Sequence, residues 1–506
     1  MTVMIKPARR SFGIIGGLGP LAGADVFFKL VKATPARSDA EHFDVVFEQH
    51  PFRNSSTSHA ATTERKLYIF DMIRDFEKRG VTTVVLPCFL SHTFLDQLQE
   101  NTSLQIVDMV DGLRAHIRRR FPLVRRIGVL TSDYLREKRL FERYFSAPEF
   151  EVLHPRLSSS TQLDAVTQAV YGDEGIKSGN LTGRPVELLR AACEDLIAQG
   201  AEIILPGLTE IALVADQIGL LGVPLIDANL VYAQYAVTGY YDARSRVFKV
   251  GVVGGVGPAA TVDFMHKVVR GTPASRDQDH IKLLVEQNPQ IPDRTDNLIG
   301  DGPDPTVSLY ATCKKLEEGD VDIIAIPCNT AHAFVERIQP YLNVPIVNML
   351  TVTVEYLLAS FPGVHEIGVL ATSGTIASGV YQKALEAHGL TQILPTEASQ
   401  KRVMNAIYGA HGVKAGYTTG ECIDDIMAAV DDLTLRGVKV IVLGCTELPL
   451  LLSQGEIHCA GGRTVCLVDP TDILARRCIA YARGEALPAA TEAEAEAEAE
   501  AAATPG

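Results

Sequence analysis

The stretch FGIIGGLGPLAGADVFFKLVKATPARSDAEH, which begins at Phe12, recurs as VGVVGGVGPAATVDFMHKVVRGTPASRDQDH, which begins at Val250. Each copy has a short β-branched run, a glycine-rich turn and then a helix-length segment with periodic apolar residues. Strands that alternate with helices in this way are typical of α/β folds with parallel sheets. Ligands of such folds bind beyond the carboxyl ends of the strands, so the turns that follow the strands hold the candidate site residues.

Three further motifs also occur twice, at a spacing of 237–240 residues. They are VVLPCFLSHTF around Cys88 and IAIPCNTAHAF around Cys328, VYGDEGIKSG around Lys177 and IYGAHGVKAG around Lys414, and ILPGLTEIAL around Leu208 and VLGCTELPL around Cys445. Near-constant spacing over this length indicates tandem duplication of a whole domain rather than a short repeat. We therefore predict two α/β domains, residues 1–242 and 247–484, with a linker at residues 242–246.

The composition limits the classes of function. The chain of 506 residues is 46% hydrophobic and 21% charged, which is the balance of a soluble globular protein. Its net charge of −14 argues against nucleic acid or an anionic membrane as a partner. No apolar run is long enough to span a bilayer. The Glu/Ala-rich tail, residues 485–506, cannot build a core and is predicted to be disordered.

Cysteine usage predicts a cytoplasmic protein without a metal centre. The nine cysteines form no C-x-x-C pair, and the N-terminus has no signal-like apolar segment. Such cysteines are typical of reduced thiols in the cytosol, and their spacing does not indicate a zinc site.

Two cysteines of the second half stand at strand-to-helix turns. Cys328 follows DIIAIP and precedes Asn329 and Thr330, whereas Cys445 follows KVIVLG and precedes Thr446. Helix N-termini favour anions, so such a place can stabilise a thiolate and hold a carboxylate. A thiol, with an ordinary pKa of about 8.5, can act as base or acid near neutrality, as inversion at a Cα carbon requires. The alternative is that both are buried core cysteines at tight turns.

These residues resemble the aspartate/glutamate racemase superfamily, and within it the aspartate racemases. The resemblance covers nearly all of the second half, through GVVGGVGPAAT, NPQIPDRT, PCNTAHAF, ATSGTIASGVY, IYGAHGVKAG, GCTELPL and LVDPTDILA. It implies two similar α/β lobes with the site between them and one cysteine from each lobe. It also implies racemisation of aspartate, or of glutamate, without pyridoxal phosphate or a metal, and a dimeric habit.

By this resemblance, Cys328 and Cys445 form the acid/base pair. The substrate-binding residues that it implies are Arg294, Asn329, Thr330, Lys414 and Thr446. A planar guanidinium can hold a carboxylate through two parallel N–H donors. The residues alone also allow other interpretations: a surface arginine, a solvated lysine and helix caps. For Glu447 we favour the interpretation as a first-turn acid on a helix dipole.

Two other patterns point elsewhere. Residues 255–260 fit the dinucleotide motif G-x-G-x-x-A, but no clear ribose-binding acid follows about 20 residues on. We therefore expect these glycines to allow close backbone approach to a small ligand. His92 and His332 each follow a cysteine by four residues, which allows a Cys-His dyad. We expect each of them to cap or pack its helix instead.

The first half keeps the scaffold but not the chemistry. It retains Cys88 and Lys177, but Leu208 stands where the second cysteine should be, and Arg53 matches Arg294 only loosely. Leucine cannot exchange a proton, so two-base racemisation is not available in this half. We expect a vestigial copy that forms an intrachain pseudo-dimer, although homo-oligomers stay open. Two alternatives are a one-cysteine isomerase or decarboxylase in this half and a non-catalytic amino-acid-binding regulator.

Overall fold

The structure is a computed structural model that describes residues 10–53, 59–156, 165–219, 222–239, 247–459 and 462–484. The chain divides into a first unit, Met1–Arg246, and a second unit, Val247–Gly506. The predicted linker and the predicted disordered tail lie outside the described residues. No helix in the described ranges is long and apolar enough to cross a bilayer.

The first unit contains two parallel sheets flanked by helices. Sheet A has the order β2-β1-β3-β4 and sheet B the order β6-β5-β7. The strands are β1 Ser11–Ile15, β2 Asp44–Glu48, β3 Thr83–Val85, β4 Gln105–Ile106, β5 Arg126–Leu130, β6 Glu151–Leu153 and β7 Ile203–Pro206. The α-helices are α1 Pro20–Ala33, α2 His59–Lys78, α3 Leu95–Gln99, α4 Met109–Arg120, α5 Asp133–Glu137, α6 Leu140–Tyr144, α7 Ala165–Tyr171, α8 Arg184–Ala198, α9 Ala215–Ile218 and α10 Ala228–Thr238.

The second unit repeats this plan. Sheet C has the order β11-β10-β8-β9 and sheet D the order β13-β12-β14-β16-β15. The strands are β8 Lys249–Gly254, β9 Lys282–Gln287, β10 Ile323–Ala325, β11 Ile346–Val347, β12 Glu366–Leu370, β13 Thr391–Ile393, β14 Val440–Leu443, β15 Gly455–His458 and β16 Thr464–Val468. The α-helices are α11 Pro258–Gly271, α12 Arg294–Ile299, α13 Thr306–Glu318, α14 Val335–Ile338, α15 Met349–Ser360, α16 Ser373–Ser378, α17 Val380–Glu386, α18 Glu397–Tyr408, α19 Glu421–Leu435 and α20 Pro470–Ala482.

The predicted α/β class with two tandem domains of parallel sheets is confirmed. One strand departs from it, because β15 pairs antiparallel with β16. Alternating strands and helices demand parallel pairing, but β15 and β16 follow each other without a helix, and a short connection allows only a hairpin.

The glycine turn, residues 255–257 between β8 and α11, lies next to the turn that follows β14. α11 begins at Pro258, whose fixed φ suits the first helical position. Gly257 has φ 120°, and a Cβ there would lie 2.5 Å from Oε1 of Glu447. A Cβ on Gly255 would lie 2.3 Å from the backbone carbon of Asn288. The glycines therefore allow close approach to other parts of the chain, and Val256 between them lines the pocket described below. Their predicted approach to a small ligand stays a prediction.

A half-buried lysine joins the two lobes of each unit. Lys267 on α11 bonds to Asp263 and lies 2.6 Å from Asp469, which caps α20 after the last strand of sheet D. In the first unit, Lys29 lies 2.7 Å from Asp25 and 2.8 Å from Asp227, which caps α10. Both units thus fix the chain where it returns from the second sheet to the first.

Candidate active site

All seven residues predicted for the site of the second unit line one pocket. They are Arg294, Cys328, Asn329, Thr330, Lys414, Cys445 and Thr446. The pocket's empty space of about 280 Å³ includes open solvent. Most of the side chains that line it are polar or charged, which suits a small polar molecule.

The two cysteines reach the pocket from different sheets. Cys328 follows β10 of sheet C, and Cys445 follows β14 of sheet D. Each is only 6% exposed. Burial alone would fit core cysteines, but both line the pocket together with charged side chains. The arrangement gives one site two thiols that belong to separate lobes.

Arg294 is a pocket residue and not a surface arginine. It opens α12 and is 7% exposed. Its Nη1 donates to the carbonyls of Ile291, at 3.3 Å, and Pro292, at 3.0 Å, while its buried Nε has no partner among the described residues. Burial opposes the charge, but Cys328 and Asp293 outweigh it and raise the pKa of Arg294. The guanidinium therefore stays charged, beside Cys328, with one donor unused.

Cys445 is held as a thiol by Glu447. The Sγ atom donates to Oε2 of Glu447 at 3.1 Å. Burial first, and then the Glu447 carboxylate, raise the pKa of Cys445 well above its usual value. The favoured sequence interpretation of Glu447, a first-turn acid on a helix dipole, misses this role, because the side chain is buried against the thiol. Its retention in the first half, as Glu210, was the signal in the sequence.

Lys414 completes the charged side of the pocket. Its Nζ lies 3.7 Å from Oε1 of Glu447 and 4.8 Å from the centre of the Tyr408 ring. Burial opposes its charge, but Glu447 and Tyr408, followed by both cysteines, raise the pKa of Lys414. Lys414 is therefore a charged group within electrostatic range of both thiols.

Polar side chains on sheet D elements support the motif after Cys328. The Thr330 hydroxyl lies 2.6 Å from that of Thr375, which lies 3.0 Å from that of Thr372. Tyr381 donates to Oδ1 of Asn329 at 2.6 Å, and Nδ2 of Asn329 is buried without a partner within the described ranges. Asn329 therefore has a free donor, while its carbonyl is fixed.

Several other pocket residues belong to the sequence motifs described above, but the sequence predicted no role for them. They are Asp293, Thr295, Thr372 and Tyr408. Asp293 precedes Arg294 in PDRT, and Tyr408 belongs to IYGAHG, which the first half repeats as VYGDEG. The aromatic residue at this position in both halves was the available signal.

The histidines after the cysteines are structural. Nδ1 of His332 lies 2.9 Å from the Cys328 carbonyl oxygen, and Nε2 accepts from the backbone N–H of Met349 at 3.0 Å. His92 makes the same two contacts, to the Cys88 carbonyl and to the Met109 N–H, at the same distances. Both ring nitrogens of each histidine thus contact backbone atoms rather than a thiol, so neither His92 nor His332 forms a dyad with its cysteine.

The first unit retains part of the same arrangement. Cys88 is half-buried, and Lys177 forms an ion pair with Glu210. Leu208 is buried at the position of the second cysteine. Arg53, the loose sequence match to Arg294, is exposed, and no role in a site follows from its position. In the described part of the whole chain, no three His, Cys, Asp or Glu side chains are grouped to hold a metal ion.

Comparison with known proteins gives the family. A family model for Asp/Glu/Hydantoin racemase matches residues 15–236 and 253–478. The chain is 34% identical to the broad-specificity amino-acid racemase RacX of Bacillus subtilis over 28% of its own length and 61% of that protein. It is 32% identical to glutamate racemase of Mycobacterium leprae over 37% of its own length and 69% of that protein. Aspartate racemase of Picrophilus torridus is similar at 28% identity and a TM-score of 0.41, over 47% of this chain and 94% of that one. The chain belongs to the Asp/Glu/Hydantoin racemase family, whose model it matches twice in tandem.

Proposed function

We propose that the second unit racemises an acidic amino acid, aspartate before glutamate, by moving the Cα proton between Cys328 and Cys445 without a cofactor. The observation that carries the proposal is that two thiols from two different sheets line one pocket with Arg294 and Lys414. Racemisation needs a base and an acid on opposite faces of one carbon, and two lobes can supply one each.

The proton balance is simple. The thiolate of one cysteine takes the Cα proton, so an S–H bond forms as the C–H bond breaks and its electron pair stays on the substrate. The other thiol then gives its proton to the opposite face and is left as the thiolate. Cys445 donates to Glu447 and is assigned the role of the acid, and Cys328, which faces the Arg294 guanidinium, is assigned that of the base. Reaction of the opposite enantiomer requires the reverse protonation states, with Cys445 as the base and Cys328 as the acid.

The unused donors fit an acidic substrate. Nε of Arg294 and Nδ2 of Asn329 are buried without partners in the described part of the chain, and Lys414 adds a second cation. We assign Arg294 and Lys414 to the side-chain carboxylate, and Asn329, Thr330 and Thr446 to the α-carboxylate and amino group. Positive charge and fixed donors around the carboxylates stabilise the negative charge that develops when the Cα proton leaves.

Deuterium uptake tests this function directly. L-aspartate is incubated with the full chain in D2O, and the Cα position is followed by NMR while chiral chromatography measures D-aspartate. We expect both signals, with glutamate slower and neutral amino acids slower still. Binding of aspartate without exchange would instead support a non-catalytic regulator. Exchange that requires added pyridoxal phosphate would contradict the cofactor-independent mechanism.

A further inference from the structure

A buried cation of the first unit has no role in the proposed racemase site. Arg65 lies on α2 and is 9% exposed. Its guanidinium lies 5.0 Å from the centre of the Phe52 ring, and its buried Nε has no hydrogen-bond partner in the described part of the chain. Burying a charge without a counter-charge is costly, so the place is suited to an anion.

Arg65 lies near the glycine turn of the first unit. The backbone N–H of Phe52, on which Arg65 stacks, donates to the carbonyl of Gly17 at 3.0 Å. Within the same turn, a Cβ on Gly19 would lie 2.7 Å from Oε1 of Glu210. This turn corresponds to the one that borders the pocket of the second unit. The buried arginine therefore belongs to the equivalent region of the first unit.

Lys177 lies at the same glycine turn, because a Cβ on Gly19 would also lie 3.6 Å from its Nζ. Nζ of Lys177 pairs with Glu210 and lies 5.3 Å from the centre of the Tyr171 ring. Partial burial, then Glu210 and Cys88, raise the pKa of Tyr171, whereas Arg65 opposes them. Because Lys177 and Glu210 neutralise each other, Arg65 leaves the group with one net positive charge.

Arg65 reaches this region from an element that does not align with α12. The first turns of α2 contact α5, where Oγ1 of Thr62 lies 3.4 Å from the Tyr134 hydroxyl. In the second unit, Thr295 on α12 makes a similar contact to Thr372, at 3.0 Å, just before α16. In each unit, the helix that makes this hydroxyl contact thus also carries a buried arginine.

Two positions that line the pocket in the second unit are apolar in the first, because Phe89 stands where Asn329 does and Leu208 where Cys445 does. Phe89 and Phe141 pack with ring centres 5.4 Å apart, and both side chains are buried. Leu208 occupies the position of the second cysteine and is also buried. An amino group would have no polar partner at these positions, whereas a hydrocarbon group would be stabilised by contact with them.

We propose that the first unit binds a small monocarboxylate with an apolar substituent, its carboxylate held by Arg65 and its apolar part lying toward Phe89 and Leu208, next to Cys88. One net positive charge matches one carboxylate. The apolar side chains offer no polar partner to an amino group, so the ligand is expected to lack one. This site is separate from the proposed racemase site, so either can exist without the other.

Protection of Cys88 from alkylation tests the proposal in the full chain. The probe is phenylacetate, and the rate of Cys88 modification by iodoacetamide is read from the corresponding peptide by mass spectrometry. We expect saturable protection by phenylacetate and weaker protection by acetate or aspartate. Absence of protection by phenylacetate, or equal protection by aspartate, would overturn the proposal.

Three variants test whether Arg65 is the cation that holds the carboxylate. In Arg65→Gln we expect the phenylacetate concentration for half-protection to rise at least about tenfold, the effect of losing one charged hydrogen bond. Arg53→Gln removes an exposed arginine from the same unit and should leave protection unchanged. Arg65→Lys keeps the charge and controls for misfolding. Its phenylacetate concentration for half-protection of Cys88 should be lower than that of Arg65→Gln. Equal protection in all three variants would contradict a role of Arg65.

Discussion

The two units differ most where a polar contact of one becomes an apolar contact of the other. In the second unit, Tyr381 donates to Asn329 at 2.6 Å. At the positions 240 residues earlier, Phe141 packs against Phe89 with ring centres 5.4 Å apart. Both members of the pair differ between the two units. A single change would have left a buried polar group unpaired, which costs about 1–3 kcal/mol.

A second pair follows the same rule. Thr330 and Thr375 share a hydroxyl contact at 2.6 Å in the second unit. At the corresponding positions of the first unit, Leu135 lies in the apolar core and the partly buried Leu90 packs against that core. The backbone contacts of His92 and His332 are nevertheless the same. The comparison teaches that the two units share a scaffold but differ in polarity at positions that contact each other in the second unit.

Removal of either thiol of the second unit should have the largest effect. We expect Cys328→Ala and Cys445→Ala each to lower the racemisation rate at least about 100-fold, since general acid–base catalysis contributes about 10²–10⁴-fold. Chiral chromatography of L- and D-aspartate measures it. Cys88→Ala should retain racemisation, and a loss there in a folded protein would extend the chemistry to the first unit.

Arg294→Lys tests the carboxylate contact of the second pocket. An ammonium cannot reproduce the two donors of the planar fork, so we expect kcat/KM for aspartate to fall by a factor of about 10–150, equivalent to about 1.5–3 kcal/mol. The exposed Arg53→Lys is the matched control and should leave kinetics unchanged. Unaltered kinetics in Arg294→Lys would remove this residue from the site.

The coupling between Phe141 and Phe89 can be tested by giving these positions the residues of the second unit, first singly and then together. Phe141→Tyr places a hydroxyl against Phe89 without an acceptor, and we expect the free energy of unfolding to fall by about 1–3 kcal/mol. Adding Phe89→Asn supplies the acceptor and should recover part of the loss. Thermal unfolding of the two single variants and the double variant measures the coupling. Strictly additive effects would show that the two positions are independent.

Glu447→Gln should have the smallest effect, on pH dependence. The Glu447 carboxylate helps to raise the pKa of Cys445, so neutralising it lowers that pKa. Cys445 must be protonated to act as the acid, and activity in that direction is lost as pH rises through its pKa. We expect the alkaline limb of the kcat/KM profile to move to lower pH in the variant. A limb that stays in place would separate Glu447 from the titration of Cys445.

The sequence predicted the features that local motifs encode. Strand-to-helix turns identified Cys328 and Cys445 as members of one site, because the carboxyl ends of parallel strands gather ligands. The same reasoning could not find Tyr381 or Thr375, which reach the motif after Cys328 from distant segments. Contacts between segments far apart in the chain leave no local pattern.

Arg65 could not be predicted by aligning the two halves of the sequence. Aligning the halves directs attention to Arg53, which is exposed, while the buried arginine of the first unit lies on a helix with no counterpart at Arg294. Glu447 was visible as a residue shared with Glu210, but its contact with a thiol depends on how the turn after β14 folds. Side-chain direction at a turn is set by tertiary packing, not by spacing alone.

The central claim is that two thiols serve opposite faces of one Cα carbon, and single-cysteine variants in D2O test it most directly. In each variant the remaining thiolate can still take the Cα proton from its own face and return a deuteron there, so exchange occurs without racemisation. The account predicts that Cys328→Ala exchanges one enantiomer of aspartate and Cys445→Ala the other, while neither interconverts them. Exchange of the same enantiomer by both variants, or racemisation by either at the unmodified rate, would contradict it.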